Sequence, residues 1–220
     1  MGALDLQLGY WNGTGAAKHF SHPVPVPELL ALLGPDADIL DYGCGYGRVC
    51  ADLAQAGFTH VVGVDASSAL VARGKAEHPA LDLRTVSGPP LPFAAASFDA
   101  CLLVALLTCV PTDAGAGALL AEARRLLRPG GVLFFSDYPL QKDARNLARY
   151  REFAQEFGSH GVFRSEGAVF RHYSRESEAR LLAGFDLLWR RECKVLTLNG
   201  HEADIFQVLA RKSLDAAGAL

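Results

Sequence analysis

Asp41-Tyr42-Gly43-Cys44-Gly45-Tyr46-Gly47-Arg48 sets a glycine at every second position behind an aspartate. The apolar pair Ile39-Leu40 precedes it, and Val49, Cys50, Leu53 and Ala54 follow at helical spacing, so the run reads as strand, glycine turn, helix. Glycine accepts positive φ and leaves the main chain bare for a ligand to lie on. The first amides of a helix have no partner within it. A chain that gives up three side chains here is arranged for close approach of something large to the end of a strand.

Apolar runs and helical stretches alternate from there. His60-Val-Val-Gly-Val-Asp65 predicts a second strand, and a helix from Ser67 to Glu77 follows, with serine as a good N-cap. Leu81 to Val86 reads as a third strand, and Phe98 to Val104, apolar almost throughout, as a fourth buried on both faces. Residues 115 to 127 carry Leu119, Leu120, Ala123, Leu126 and Leu127 on one helical side. Pro129-Gly130-Gly131 then turns the chain into a fifth strand, Val132 to Ser136. Such alternation predicts a mostly parallel sheet with helices on both faces. Residues 139 to 172 break the rhythm, being polar and rich in arginine and aromatics, with a helix expected over Asp143 to Phe157. A helix at Ser174 to Leu182 and two runs, Phe185 to Leu198 and Ala203 to Ala210, close the chain around Asn199-Gly200, a strong hairpin signal.

The 220 residues fit one domain with an insertion, and half of them are apolar, enough for a sizeable core. A net charge of −3 lacks the basic excess usual in nucleic-acid binders. The apolar run from Ala100 to Val110 is too short to span a bilayer, and the first residues lack a secretory pattern. Five cysteines without a CxxC pair argue against a disulfide framework or structural zinc. The expectation is a cytoplasmic protein with neither nucleic-acid nor membrane partner, and no metal.

The motifs in order are DxGxGxG at 41 to 47, VVGVDAS at 61 to 67, LPF at 91 to 93 with SFDA at 97 to 100, LLRPGG at 126 to 131, and a closing hairpin. Together they resemble a class I S-adenosylmethionine-dependent methyltransferase of the small-molecule type, strongly over residues 37 to 137 and more weakly over 172 to 211. The resemblance implies an α/β fold: a Rossmann-like, doubly wound, seven-stranded sheet, mostly parallel, with a C-terminal antiparallel hairpin and an insertion after strand five. It implies S-adenosylmethionine as cofactor, leaving as S-adenosylhomocysteine, with contacts from Asp41, Gly43, Cys44, Gly45, Gly47, Asp65, Ala66, Ser87, Gly88 and Val104. Asp65 ends the second strand, where a carboxylate accepts from ribose hydroxyls. Ser87 stands where relatives often carry an acid against the adenine. Thr108-Cys109 stands where they often show histidines or aromatics.

Residues 1–36 are expected to form a lid segment, 37–212 the methyltransferase domain with its substrate-binding insertion 139–172, and 213–220 a flexible tail. Methyl transfer needs a base only when the nucleophile must first lose a proton. Side chains left for that work are Tyr138, His172 and His19, with Tyr10, Trp11, His22, Thr108, Arg149 and Tyr173 as acceptor contacts. A small-molecule acceptor and a monomer or homodimer are expected. Two other readings stay open: a nicotinamide-binding Rossmann oxidoreductase, although GxGxxG would require glycine where Arg48 stands, and a catalytically silent cofactor-binding partner subunit.

Overall fold

The chain begins with two short helices, α1 (Ala3–Leu6) and α2 (Leu8–Trp11), and then α3 (Val26–Leu33). Five strands and three helices follow: β1 (Asp38–Tyr42), α4 (Arg48–Gln55), β2 (His60–Asp65), α5 (Ser68–Glu77), β3 (Asp82–Thr85), β4 (Phe98–Val104), α6 (Asp113–Leu126) and β5 (Leu127–Asp137). After β5 come α7 (Ala144–Phe157), a small hairpin β6 (Val162–Ser165) and β7 (Ala168–Arg171), then α8 (Arg175–Leu181), β8 (Phe185–Leu196) and β9 (Glu202–Lys212). This computed structural model describes residues 1–197 and 200–214. Leu198 of the predicted strand, Asn199 of the predicted turn and residues 215–220 of the predicted tail lie outside the described residues.

One sheet of seven strands runs β3-β2-β1-β4-β5-β9-β8. The first five are parallel, while β9 is antiparallel to both β5 and β8. Successive strand residues point to opposite faces, which explains why β4 is apolar at nearly every position. Cys101 and Leu103 join Leu40, Leu133 and Phe135 under α6, whereas Ala100 and Leu102 join Ile39, Val132 and Phe134 under α3 and α4. Helix α6 supplies Ala116, Leu119, Leu120, Ala123 and Leu126 at three- and four-residue spacing, one buried stripe.

Four helix starts follow their caps. Ser67, Thr112, Asp143 and Ser174 each accept from the backbone amide three residues on, and each begins its helix one residue later. The third strand, Asp82–Thr85, is shorter than the predicted Leu81 to Val86, because only there does it meet β2. Within 139 to 172 the sequence reading missed β6 and β7. Their connection is Glu166-Gly167, with φ of 49° and 88°, the paired positive φ of a two-residue hairpin turn. At the far edge of the sheet β8 carries a register irregularity between Leu187 and Trp189.

Candidate active site

Strand order reverses between β1 and β4, and a crevice opens there at the carboxyl ends of the strands. It encloses about 240 Å³. Gly43 and Gly45 form its floor after β1, Asp65 and Ala66 after β2, and Val104, Ala105 and Leu106 after β4. Both glycines have positive φ, 82° and 56°, and a Cβ built on them would come within 2.6 Å of Leu106 and Phe20 respectively. The walls therefore close directly on bare main chain, as a ligand lying along the loop requires.

Asp65 is fixed by its neighbours: Oδ2 accepts from the Gly45 amide at 2.9 Å and Oδ1 from the Ser67 amide at 2.8 Å. Burial raises its pKa, opposed by these amides and that of Ala66. A carboxylate so held keeps free lone pairs toward the crevice, the disposition that suits a pair of ribose hydroxyls. Beyond it the wall is mostly apolar, with Met1, Leu6, Leu70, Val86, Gly88 and Val110.

The other end of the crevice is polar and aromatic. Tyr138 follows β5, and Arg145, Asn146 and Arg149 come from α7. Phe163, Phe170 and His172 come from the small hairpin and the residue after it, and His22 from the N-terminal segment. The rings of Tyr138 and His172 stack at 5.2 Å between centroids, and His22 meets Tyr138 edge-on at 4.7 Å. His22 Nδ1 lies 3.1 Å from Ser136 Oγ, while Nε2 is buried without a partner. Burial, helped by Arg48, pushes the His22 ring pKa down to about 3, so it is neutral at ordinary pH. Burial likewise raises the Tyr138 hydroxyl, reinforced by Asp137 and Cys109.

The N-terminal segment roofs this crevice and is tied down at several places. Gln7 Nε2 donates to the carbonyls of Cys109 and Val169 at 2.9 and 2.8 Å, and its Oε1 accepts from the Val169 amide at 2.7 Å. Asn12 Oδ1 accepts from the Ser67 hydroxyl and the Ala69 amide, and Asp5 Oδ1 from the Thr112 hydroxyl at 2.7 Å. Arg48, in the position a dinucleotide fingerprint gives to glycine, donates to the His22 carbonyl at 2.5 Å and pairs with Asp52. Tyr10 and Trp11 pack against Phe170, joining roof and insertion.

Several residues expected at the site stand elsewhere. Asp41 is buried behind the glycine loop, where its Oδ2 receives the Cys50 thiol at 3.4 Å; burial pushes its pKa up to about 7. Cys44 is buried with its thiol toward its own loop, and Gly47 caps α4 facing Leu83, so neither lines the crevice. Gly88 lines it and Ser87 does not. Tyr173 is a core residue whose hydroxyl donates to the Leu107 carbonyl at 2.9 Å. Tyr10 supports the wall from behind, and its hydroxyl is buried without a partner. His19 is exposed on the outer face, 3.3 Å from Arg73, and lies off the crevice. Trp11, His22, Thr108, Tyr138, Arg149 and His172 all line it.

The sequence reading missed Phe20, Asn146, Phe163 and Phe170, all of which line the crevice. For the two hairpin phenylalanines a signal was present in the short alternating runs on either side of Glu166-Gly167. Asp137 acts one step back from the crevice. Its carboxylate accepts from the amides of Tyr138 and Thr108 at 2.8 and 2.9 Å, tying the loop after β4 to the end of β5.

Residues 40–135 match the family described as Methyltransferase domain. A demethylmenaquinone methyltransferase of Beutenbergia cavernae is 38% identical over 126 residues, which are 56% of this chain and 50% of that protein. The chain thus spans about half the length of this curated relative. Among solved structures, a SAM-dependent methyltransferase of Methanosarcina mazei superposes with a TM-score of 0.81 at 23% identity, covering 88% of this chain and 100% of that one. The 1,6-didemethyltoxoflavin-N1-methyltransferase of Burkholderia thailandensis, solved with S-adenosylhomocysteine, gives 0.60 at 26% identity over 86% and 76%. Glycine floor, strand-end aspartate, sheet order and these likenesses agree: residues 40–135 form a methyltransferase domain of the class I, S-adenosylmethionine-dependent kind.

Proposed function

We propose that the protein transfers a methyl group from S-adenosylmethionine, by SN2 attack, to a small-molecule acceptor. The observation that carries this reading is one continuous crevice whose first half is bare glycine backbone with a fixed carboxylate, and whose second half is a buried polar and aromatic chamber. Gly43, Gly45, Asp65 and Ala66 would hold the ribose and methionine portions of the cofactor, with Gly88, Val86 and Leu70 on the base and Val104 beneath it. Bound there, the cofactor supplies a sulfonium-activated methyl group. Asp41, which the resemblance places near the amino group, acts from behind the loop by fixing its base through Cys50.

The chain's own contribution is positioning and exclusion of water. Phe163, Phe170, Trp11 and Tyr138 shape the chamber, and His22 and His172 enter it as neutral rings. Holding a nucleophile in line with a methyl group supplies up to roughly 7 to 11 kcal/mol in well-oriented systems. Residues 1–36 serve as the lid segment and 139–172 as the acceptor-binding insertion. The relatives' printed names, a demethylmenaquinone methyltransferase and a didemethyltoxoflavin methyltransferase, support a small organic acceptor. All five cysteines are free thiols, which fits a reducing cytoplasm, where the protein works as a monomer or homodimer.

S-Adenosylhomocysteine should raise the melting temperature in proportion to the logarithm of its concentration once above Kd, since it stabilises the folded state by RT ln(1 + [L]/Kd). Stabilisation by NADH in its place would overturn the reading.

A further inference from the structure

The acceptor chamber holds a hydrogen-bond relay that positioning alone does not require. The Gln141 amide donates to Tyr150 Oη at 3.1 Å, and Tyr150 Oη lies 2.5 Å from His172 Nδ1. The phenol oxygen accepts from that amide and also from the Arg149 guanidinium, which uses both its lone pairs and leaves its own proton for His172. Burial raises the Tyr150 pKa to about 12, which keeps that proton in place. With Nδ1 accepting, the neutral imidazole carries its hydrogen on Nε2. Burial, then Arg149, holds the ring neutral, and no protein group is hydrogen-bonded to Nε2 among the described residues. His172 thus offers the crevice a donor, the opposite of a general base.

Arg149 stands beside it with its guanidinium carbon 3.6 Å from the Phe163 ring centroid. It has no carboxylate within ion-pairing distance among the described residues, and its Nε is buried without a partner. Burial lowers its pKa only to about 10, so it stays a cation. The carboxylates around the chamber are already engaged. Asp143 binds the Asn146 side chain and lies 4.0 Å from Arg145, Glu166 pairs with Lys18 at 2.6 Å, and Asp137 is held by backbone amides. His22 presents a second neutral ring. A half-buried cation without a counter-charge is costly unless an anion arrives with the ligand.

Resting on the methyltransferase reading, we propose that the acceptor enters as an anion: a planar molecule with an acidic phenolic or enolic oxygen, bound ionised against Arg149 and the His172 Nε2–H. The oxyanion's lone pair forms the new O–CH3 bond while the S–CH3 bond breaks and its electron pair returns to sulfur. Sulfonium and oxyanion charges disappear together, and no proton has to be removed within the protein. The chamber needs no base because it selects a nucleophile that solvent has already deprotonated.

The test uses the full chain saturated with S-adenosylhomocysteine and 4-nitrophenol as probe, whose ionised form alone is yellow. The chamber should bind the phenolate at least about tenfold more tightly than the phenol, lowering the probe's apparent pKa by about one unit or more. Arg149→Met should abolish that drop, Arg149→Lys should restore part of it, and Tyr150→Phe, which releases the His172 tautomer, should shrink it. In all three variants thermal stabilisation by S-adenosylhomocysteine should stay as in wild type, which a general loss of structure would not allow. Absence of binding at millimolar probe, binding as the neutral phenol, or undiminished phenolate binding by Arg149→Met overturns the proposal. Phenolate binding without any stabilisation by S-adenosylhomocysteine would leave the anion site standing and overturn the methyltransferase reading instead.

Discussion

The floor and the roof of the crevice are made from different materials. Beneath it, β1, β4 and β5 bury aliphatic and phenylalanine side chains on both faces, and Ile39, Leu40, Leu102, Leu103, Phe134 and Phe135 have no exposed surface. Above it, residues 1–22 and the insertion meet through side-chain hydrogen bonds from Gln7, Asn12 and Asp5 and through edge-on aromatic contacts. Apolar burial is cooperative and gives way only with the whole domain. Individual hydrogen bonds are each worth about 1 kcal/mol net and can open locally. The floor is therefore tied to global unfolding, whereas the roof's polar contacts can break one at a time.

Phe134→Ala should have the largest effect, a loss of about 3 to 5 kcal/mol in denaturant unfolding, because it opens a void in the fully buried floor. A loss under about 1 kcal/mol would mean that the sheet core is looser than its burial indicates.

The Asp41→Asn variant tests the floor by pH. The folded pKa of Asp41 is raised from its ordinary 3.8 to about 7, so the folded chain keeps a proton that the unfolded chain has lost. Its contribution is neutral below the lower value, and stability falls as pH rises between the two. The variant should therefore gain on wild type across that window, by up to a few kcal/mol at its upper end. Asp137 contributes the same sign, and His22 the opposite one as pH falls from 6.5 toward 3, but both are common to the two proteins and cancel in the difference. A constant difference at every pH would show that folding leaves the Asp41 carboxyl at its ordinary pKa.

Asp65→Asn should weaken S-adenosylhomocysteine binding by roughly 1 to 3 kcal/mol in calorimetry, the cost of replacing a charged acceptor. Unchanged affinity would move the ribose contacts off β2. On the roof, Gln7→Ala removes three hydrogen bonds and should cost roughly 1 to 3 kcal/mol, felt mainly as faster amide exchange at Val169 and its neighbours. An equal drop in the global transition would make roof and floor one cooperative unit. Glu166→Gln, breaking the partly exposed pair with Lys18, should cost about 0.2 to 1 kcal/mol and be hardest to detect.

The floor was legible in the sequence and much of the roof was not, for a physical reason. Phe98–Val104 and His60–Asp65 carry local signals, apolar continuity and a closing aspartate, and their boundaries coincide with the observed strands. Capping serines and aspartates announce the helices in the same local way. Which side of a loop faces the crevice depends on distant partners. Asp41 and Asp65 both lie near the carboxyl end of a strand, yet one is turned behind the loop and the other into the crevice. His19 and His22 are three residues apart, and only His22 is carried inward, next to Ser136. Tyr173 sits beside His172 and points the other way, into the core.

The two free edges of the sheet carry a consequence for how the protein behaves in concentrated solution. An unpaired strand is a template on which another chain can add. At one edge β3 offers four residues and carries the Asp82–Arg84 pair on them. At the other, β8 is long and exposes Leu187, Leu188 and Leu196, but its register breaks between Leu187 and Trp189, and Arg190, Arg191, Glu192 and Lys194 punctuate it. Shortness guards one side, and a bulge with charges guards the other. Neutralising Arg190, Arg191, Glu192 and Lys194 together would leave that edge guarded by its register break alone, so the barrier to strand addition there lies in side chains that take no part in the proposed chemistry.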